Sequence, residues 1–229
     1  MPATKRKSFH ELTELALRSC LIAKDEATNL RELIATSSNL AYLAIRECER
    51  ELDQIERRID DELPAAISRL GEASARELLA SLKLITDLER IGDLLLGVAK
   101  RFRRGNGVPN NAAAQIQKMI SILEGMLAKI HQGFINRDLT CAQSVLSTDK
   151  QINGICQSLF RKYLSPAAKA ATRSSLDVLF SAQALERAGD HATNLAEELH
   201  HWIEGHTLRH VHRRRTAQAA LATDGDLSP

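Results

Sequence analysis

Apolar positions recur at helical spacing along almost the whole chain. Between residues 8 and 35, Leu12, Leu15, Leu21, Ile22, Leu30 and Leu33 predict a first helix. Thr36-Ser37-Ser38-Asn39 then groups turn and N-cap residues. A second helix over 40–63 carries the stripe Ile45, Cys48, Leu52, Ile55, Ile59 and Leu63. Pro64 closes it or opens the next helix. A third helix runs to about Arg104, with a break near Gly71. The stretch RRGNGVPNN at 103–111 is the strongest breaker in the chain and marks the midpoint of the architecture. A fourth helix follows from Ala112 to Asn136, a break at Asn136-Arg137-Asp138, and a fifth helix over 138–163 with Ile152, Ile155 and Leu159 as its stripe. Ser165-Pro166 predicts an N-cap with proline at the first position of a sixth helix, which reaches about Ile203. Beyond Gly205 the sequence is basic, then polar, with little to bury, and reads as a disordered tail. His206, His210, His212 and the Arg213–Arg215 run offer contacts to metal or acidic lipid there; a solvated tail is the plainer reading.

The second half repeats the plan of the first. DLERIGDLLLGVA at 87–99 returns as ALERAGDHATNLA at 184–196. Glu89 maps onto Glu186 and Asp93 onto Asp190, both at an offset of 97. Acids at i and i+4 share a helix face and repel by a few tenths of a kcal/mol (~0.2–0.5), and a glycine inside a helix costs roughly 1 kcal/mol relative to alanine. A phrase that carries both costs twice points to a use for them. The expected organisation is three helices in 1–107, three in 108–204 and a tail over 205–229. Short connections favour antiparallel neighbours, hence two three-helix bundles.

Composition supports an all-α class and narrows the function. Of the 229 residues, 44% are hydrophobic and only 3% aromatic, with few turn formers. The formal net charge of +2 provides no global field for nucleic acid. No apolar run approaches the roughly 20 residues of a membrane span, and the basic N-terminus lacks the apolar core of a signal peptide. The expectation is a cytoplasmic protein. Cys20, Cys48, Cys141 and Cys156 form no Cys-x-x-Cys and read as small apolar helix residues.

A helical wheel places the repeated acids. Ile85, Leu88, Gly92, Leu95, Leu96 and Ala99 share one face of the third helix, with Glu89 and Asp93 on its edge and Arg90 turned away. Leu185, Gly189, Ala192, Leu195 and Ala196 do the same on the sixth, with Glu186 and Asp190 on the edge. The second helix bears Glu49, Asp53, Glu56 and Asp60 along the border of its Leu52 face. The fifth carries Asp149 and Asn153 at the same spacing. Brought together, each helix pair would set four oxygen-bearing side chains on one patch. Such a patch protonates, meets Arg or Lys, or binds metal. All-oxygen donors, with His191 beside one set, suit hard ions such as Mg, Mn, Ca or Fe(III). Salt-bridged surface faces are the competing reading, with Arg50, Arg57 and Arg58 as partners. The residues three after Glu89 and Glu186 are glycines, so the Glu-x-x-His of ferritin-like di-metal bundles is missing. No catalytic triad, phosphate loop or GxSxG is visible either.

LERIGDLLLGVAK and LERAGDHATNLAEEL each end a three-helix repeat and each follow a helix with an acid-x-x-x-acid or acid-x-x-x-amide pair. In this they resemble the PhoU family of phosphate-signalling regulators, over roughly residues 8–203. The resemblance implies a homodimer of two-bundle chains and multinuclear metal clusters on the bundle surface, iron first, with Zn, Mn, Ni, Mg or Ca as alternatives. It implies a non-enzymatic negative regulator of phosphate uptake and phosphate-starvation signalling. Its partners would be a sensor histidine kinase and the ATPase subunit of the phosphate transporter, with peripheral association at the inner face of the membrane through them. The first cluster would use Glu49, Asp53, Glu89 and Asp93, with Glu56 added. The second would use Asp149, Asn153, Glu186 and Asp190.

The chain departs from the family pattern in places. The family's Gln-Pro-x-x-x-Asp-Leu-Arg phrase is replaced by Leu70–Leu78, Asp93 is followed by Leu94-Leu95-Leu96-Gly97 rather than a His-x-x-Asn like His191 and Asn194, and Cys156 stands where the first repeat has Glu56. The two clusters are therefore expected to be unequal. These departures leave open a PhoU-like accessory regulator of another ion transporter, and a metal-dependent phosphoesterase with His191 as its acid or base.

Overall fold

The protein is described from a computed structural model covering residues 3–67, 72–104, 108–165 and 172–204. Six helices account for nearly all of it: α1 (Ala3–Thr36), α2 (Asn39–Ile67), α3 (Glu72–Arg104), α4 (Asn110–Asn136), α5 (Leu139–Leu164) and α6 (Arg173–Glu204). The described residues contain no strand. The expected tail lies outside the described residues, as do the break near Gly71 and the centre of the 103–111 linker.

In each half the three helices pack on one another. The halves are joined by α1 against α4 and by α3 against α6. Thus α1, α3, α4 and α6 form the inner layer, while α2 and α5 lie outside it, α2 on α1 and α3, α5 on α4 and α6. One continuous apolar core runs through both halves, from Leu12 and Leu30 through Ile45, Leu52, Leu88 and Leu95 to Ile116, Leu127, Ile152 and Leu185. Each fully buried leucine or isoleucine there contributes about 1.5–3 kcal/mol. Cys20, Cys141 and Cys156 are buried in this core as free thiols, and Cys48 packs against it.

The corners repeat as well. Ser37 and Arg137, an offset of 100, are the only non-glycine described residues with positive φ (56° and 53°). Each follows the last turn of α1 or α4. Ser37 N–H donates to the Leu33 carbonyl (2.8 Å) and Asp138 N–H to the Gly133 carbonyl (3.1 Å), which satisfies helix-end acceptors. Ser38 Oγ then accepts from Ala41 N–H (3.2 Å) and Asp138 Oδ1 from Thr140 N–H (2.8 Å), starting α2 and α5.

Two boundaries differ from the sequence reading. Pro64 does not close α2, which runs on to Ile67. Asp60, whose carbonyl loses its donor there, and Pro64 are both exposed, so water can satisfy that carbonyl. Ser165 caps the C-terminus of α5 (φ −66°, ψ 150°) instead of opening α6. A residue before proline is pushed into the extended region. The start of α6 is instead held by a reciprocal pair, Ser175 N–H to Thr172 Oγ1 (3.1 Å) and Thr172 N–H to Ser175 Oγ (2.9 Å).

Candidate functional site

The structure brings the predicted acids together at two seams. In the first half, burial and then repulsion from Asp93, Glu56 and Asp53 raise Glu89 from its ordinary value, with Arg90 opposing, so acids of α2 and α3 share one patch. Glu56 is raised by burial and then by Asp60, with Arg90 opposing. In the second half, burial raises Asp149, with Asp190 adding. Burial raises Glu186, with Asp190 and then Asp149 adding. Asn153 Nδ2 donates to Asp149 Oδ2 at 2.7 Å. The Cys156 thiol, pushed up to about 11 by burial and by Glu186, takes the place in this set that Glu56 has in the first.

The arginines offered as partners neutralise little of this. Arg50 pairs with Glu47 and Arg58 with Glu62, outside the sets. Arg57 holds Asp53 (2.5 Å). Arg90 does not turn away as the wheel predicts. Its long side chain bends back to within 3.5 Å of Glu89 and 3.9 Å of Asp93, too far for a strong ion pair. Glu89 Oε2, Asp149 Oδ1 and Asn153 Oδ1 remain buried with no hydrogen-bond partner. Buried polar atoms are normally satisfied, so these oxygens are the acceptors that a cation, a proton or water would meet.

Sequence reasoning missed one group. Glu26, on α1, is fully buried (0% exposed), and neither of its carboxylate oxygens has a hydrogen-bond partner. Burial raises it well above the ordinary range, and Glu49 and Asp93 add to the shift. It therefore belongs beside the first set. In sequence it looks like surface charge, following Lys24 and Asp25 in a loosely patterned helix. The available signal was the alignment of α1 on α4, which puts Glu26 on Met126 in a buried stripe.

The repeated glycine now has a local reason. A Cβ on Gly92 would stand 2.8 Å from Leu52 Cδ1 and 3.0 Å from Glu26 Oε2. One on Gly189 would stand 3.0 Å from Asp149 Oδ1 and 3.3 Å from Ile152 Cδ1. Each glycine thus admits an aliphatic side chain of the outer helix and a carboxylate oxygen close to the backbone.

His191 serves a different purpose from the one its neighbours suggest. Its Nδ1 lies 2.8 Å from Asp87 Oδ1 on α3, in the other half of the chain. Beside it Lys83 donates to buried Glu198 at 2.8 Å. The repeat-related positions of Asp87 and His191 are Ala184 and Leu94, both apolar. The His191–Asp87 contact between the halves therefore has no counterpart at Leu94 and Ala184.

Relatives carry the same architecture. The PhoU domain family model matches twice, over residues 20–102 and 116–199. The chain belongs to the PhoU family. It is 30% identical over 185 residues to the phosphate-specific transport system accessory protein PhoU homolog of Rhizobium meliloti, covering 78% of each chain. With the homolog from Pseudomonas aeruginosa it shares 29% over 198 residues, 83% of this chain and 81% of the relative. In fold it is similar to the crystal structure of PhoU from Pseudomonas aeruginosa, with a TM-score of 0.79 at 22% identity over 88% of this chain and 99% of that one. The phosphate transport system regulatory protein PhoU from Streptococcus pneumoniae gives a TM-score of 0.78 at 19% identity over 89% and 99%.

As the side chains stand, no three or more His, Cys, Asp or Glu groups among the described residues converge on one ion. The donor chemistry nevertheless fits a hard cation, because the unsatisfied atoms at both seams are carboxylate and amide oxygens. Among the described residues no helix is long and apolar enough to cross a membrane.

Proposed function

We propose that this PhoU-family chain is a non-enzymatic accessory regulator of phosphate transport that binds metal at its two acid seams. The observation that carries the metal half is the pair of patches in which buried oxygens accept no hydrogen bond. The regulatory half rests on relatives named as accessory proteins of the phosphate-specific transport system. Glu49, Asp53, Glu56, Glu89 and Asp93 would hold metal in the first half, and Asp149, Asn153, Glu186 and Asp190 in the second. Bound cations would neutralise the repelling acids and stiffen α2 against α3 and α5 against α6. The loaded form would then dock on a transporter ATPase subunit or a sensor kinase as a homodimer and shift its population of states.

A phosphoesterase would have to use His191 through Nε2, because Nδ1 is engaged with Asp87, and no observation favours that reading. The test is deletion of the gene in its host, with phosphate uptake and a phosphate-starvation reporter followed in phosphate-replete medium. Derepression that wild type reverses and a Glu89→Ala/Glu186→Ala variant does not reverse is expected. Unchanged phosphate uptake with altered uptake of another ion would move the assignment to a different transporter.

A further inference from the structure

We propose that Glu26 of α1 is a buried carboxylate ligand for a hard divalent cation in the first acid set, so that the two halves of the chain hold metal sites of different depth and charge. The inference rests on the metal reading above and extends it to a helix that contributes nothing to the repeated motif.

Position is the first argument. Glu26 is completely buried, yet both of its oxygens lack a hydrogen-bond partner. Oε2 would be 3.0 Å from a Cβ on Gly92, and the charges that act on Glu26 are Glu49 and Asp93, both acids. The side chain therefore lies where α1 meets the α2–α3 seam. An ionised carboxylate buried without a counter-charge is strongly disfavoured. A cation shared with Glu49 and Asp93 would offset that cost and the repulsion among the three acids.

Packing is the second argument, because it does not call for a glutamate. Aligned at the offset of 100 that the Ser37 and Arg137 corners set, Ala16, Cys20, Ala23 and Leu30 of α1 fall on Ile116, Ile120, Leu123 and Ile130 of α4, all buried. Glu26 falls on Met126, which is likewise buried (1% exposed). Methionine is what this position holds when only the core is served. In the second half the oxygen near the motif glycine comes from α5, as Asp149 Oδ1, and α4 contributes none. The first set thus has Glu26, Glu56 and Asp53 where the second has Met126, Cys156 and Asn153. It is deeper by one helix and richer in negative charge.

The test uses the full chain with the second set silenced by Glu186→Gln and Asp190→Asn, titrated with Mn(II) and read by the EPR signal of free ion. In that parent, Glu26→Gln and Glu26→Leu should each weaken binding at least about tenfold, the lower end of effects for groups that support a metal. Metal-free Glu26→Leu should melt at or above the metal-free parent, and Mn(II) should raise the melting temperature of the parent but not of this variant. Both Glu26 variants binding Mn(II) as the parent does, while Glu89→Gln/Asp93→Asn abolishes binding, would overturn the inference and leave the metal site standing. If Glu89→Gln/Asp93→Asn changes nothing, the metal reading falls and takes the role of Glu26 with it.

Discussion

His191 Nδ1 on α6 lies 2.8 Å from Asp87 Oδ1 on α3, with both side chains less than a quarter exposed. This contact crosses the boundary between the two repeats, so it tests how far the halves act as one body. His191→Ala should destabilise the chain by about 0.5–1.5 kcal/mol, the net worth of a typical hydrogen bond. A double-mutant cycle with Asp87→Ala in urea unfolding should return a coupling of the same order. Additive losses would mean that the pair contributes nothing to joining the halves.

The glycines can be ranked by what a methyl group would meet. At Gly133 a Cβ would be 2.3 Å from Leu199 Cδ2 and 3.0 Å from Cys141 Cβ, inside a close-packed core. Gly133→Ala should be the most damaging, at about 1–3 kcal/mol. Gly92→Ala should follow, then Gly189→Ala. Gly154 has nothing within 4 Å, so Gly154→Ala should stabilise by up to about 1 kcal/mol through helix propensity alone. Thermal melts of the four variants check the order.

Pro64 inside α2 is a cost that the sequence pattern presented as a helix end. Because α2 continues to Ile67, Pro64→Ala restores a missing donor and should raise stability. Relief of the helix-interior penalty, about 3 kcal/mol, sets the upper limit. The gain is smaller by what proline saves in the unfolded chain, about 0.4–1 kcal/mol. A lower melting temperature for Pro64→Ala would contradict this account of α2.

The acid sets predict a pH dependence in the metal-free protein. Burial is the first cause that lifts Glu26, Glu56, Glu89, Asp149, Glu186 and Asp190. A carboxyl raised in the folded state binds its proton more tightly there than in the unfolded chain. Its contribution to stability is full below the ordinary values of 3.8 for aspartate and 4.5 for glutamate, and is lost as pH rises through the folded value. With chelator present, melting curves from pH 4 upward should therefore show a loss that is smaller in Glu26→Leu and Glu89→Gln. An unchanged slope in both variants would count against the buried, repelling acids.

Much of the fold was legible because its signals are local. The doubled Leu-Glu-Arg-x-Gly-Asp fixed the repeat, and the edge positions of Glu89 and Glu186 held because helical periodicity alone decides them. What was not legible depends on distant parts of the chain. Glu26 reads as surface charge until α1 is packed under α2 and α3. The wheel gives a direction for Arg90 but not the reach of its side chain. Asp87 and His191 meet only through the pairing of α3 with α6. The Ser165-Pro166 cap failed because Thr172 and Ser175 offer a better box further on.

The central claim is that both acid seams bind metal and that they do so unequally. It is tested most directly by metal content per chain in purified wild type, Glu89→Ala and Glu186→Ala, measured after equilibration with Mn(II) and removal of free ion. Each variant should lose only its own half's metal, with the first half retaining its share at the lower free Mn(II) concentration. Equal metal content in all three proteins, or none in wild type, would contradict the account and leave the acids as ordinary charged faces.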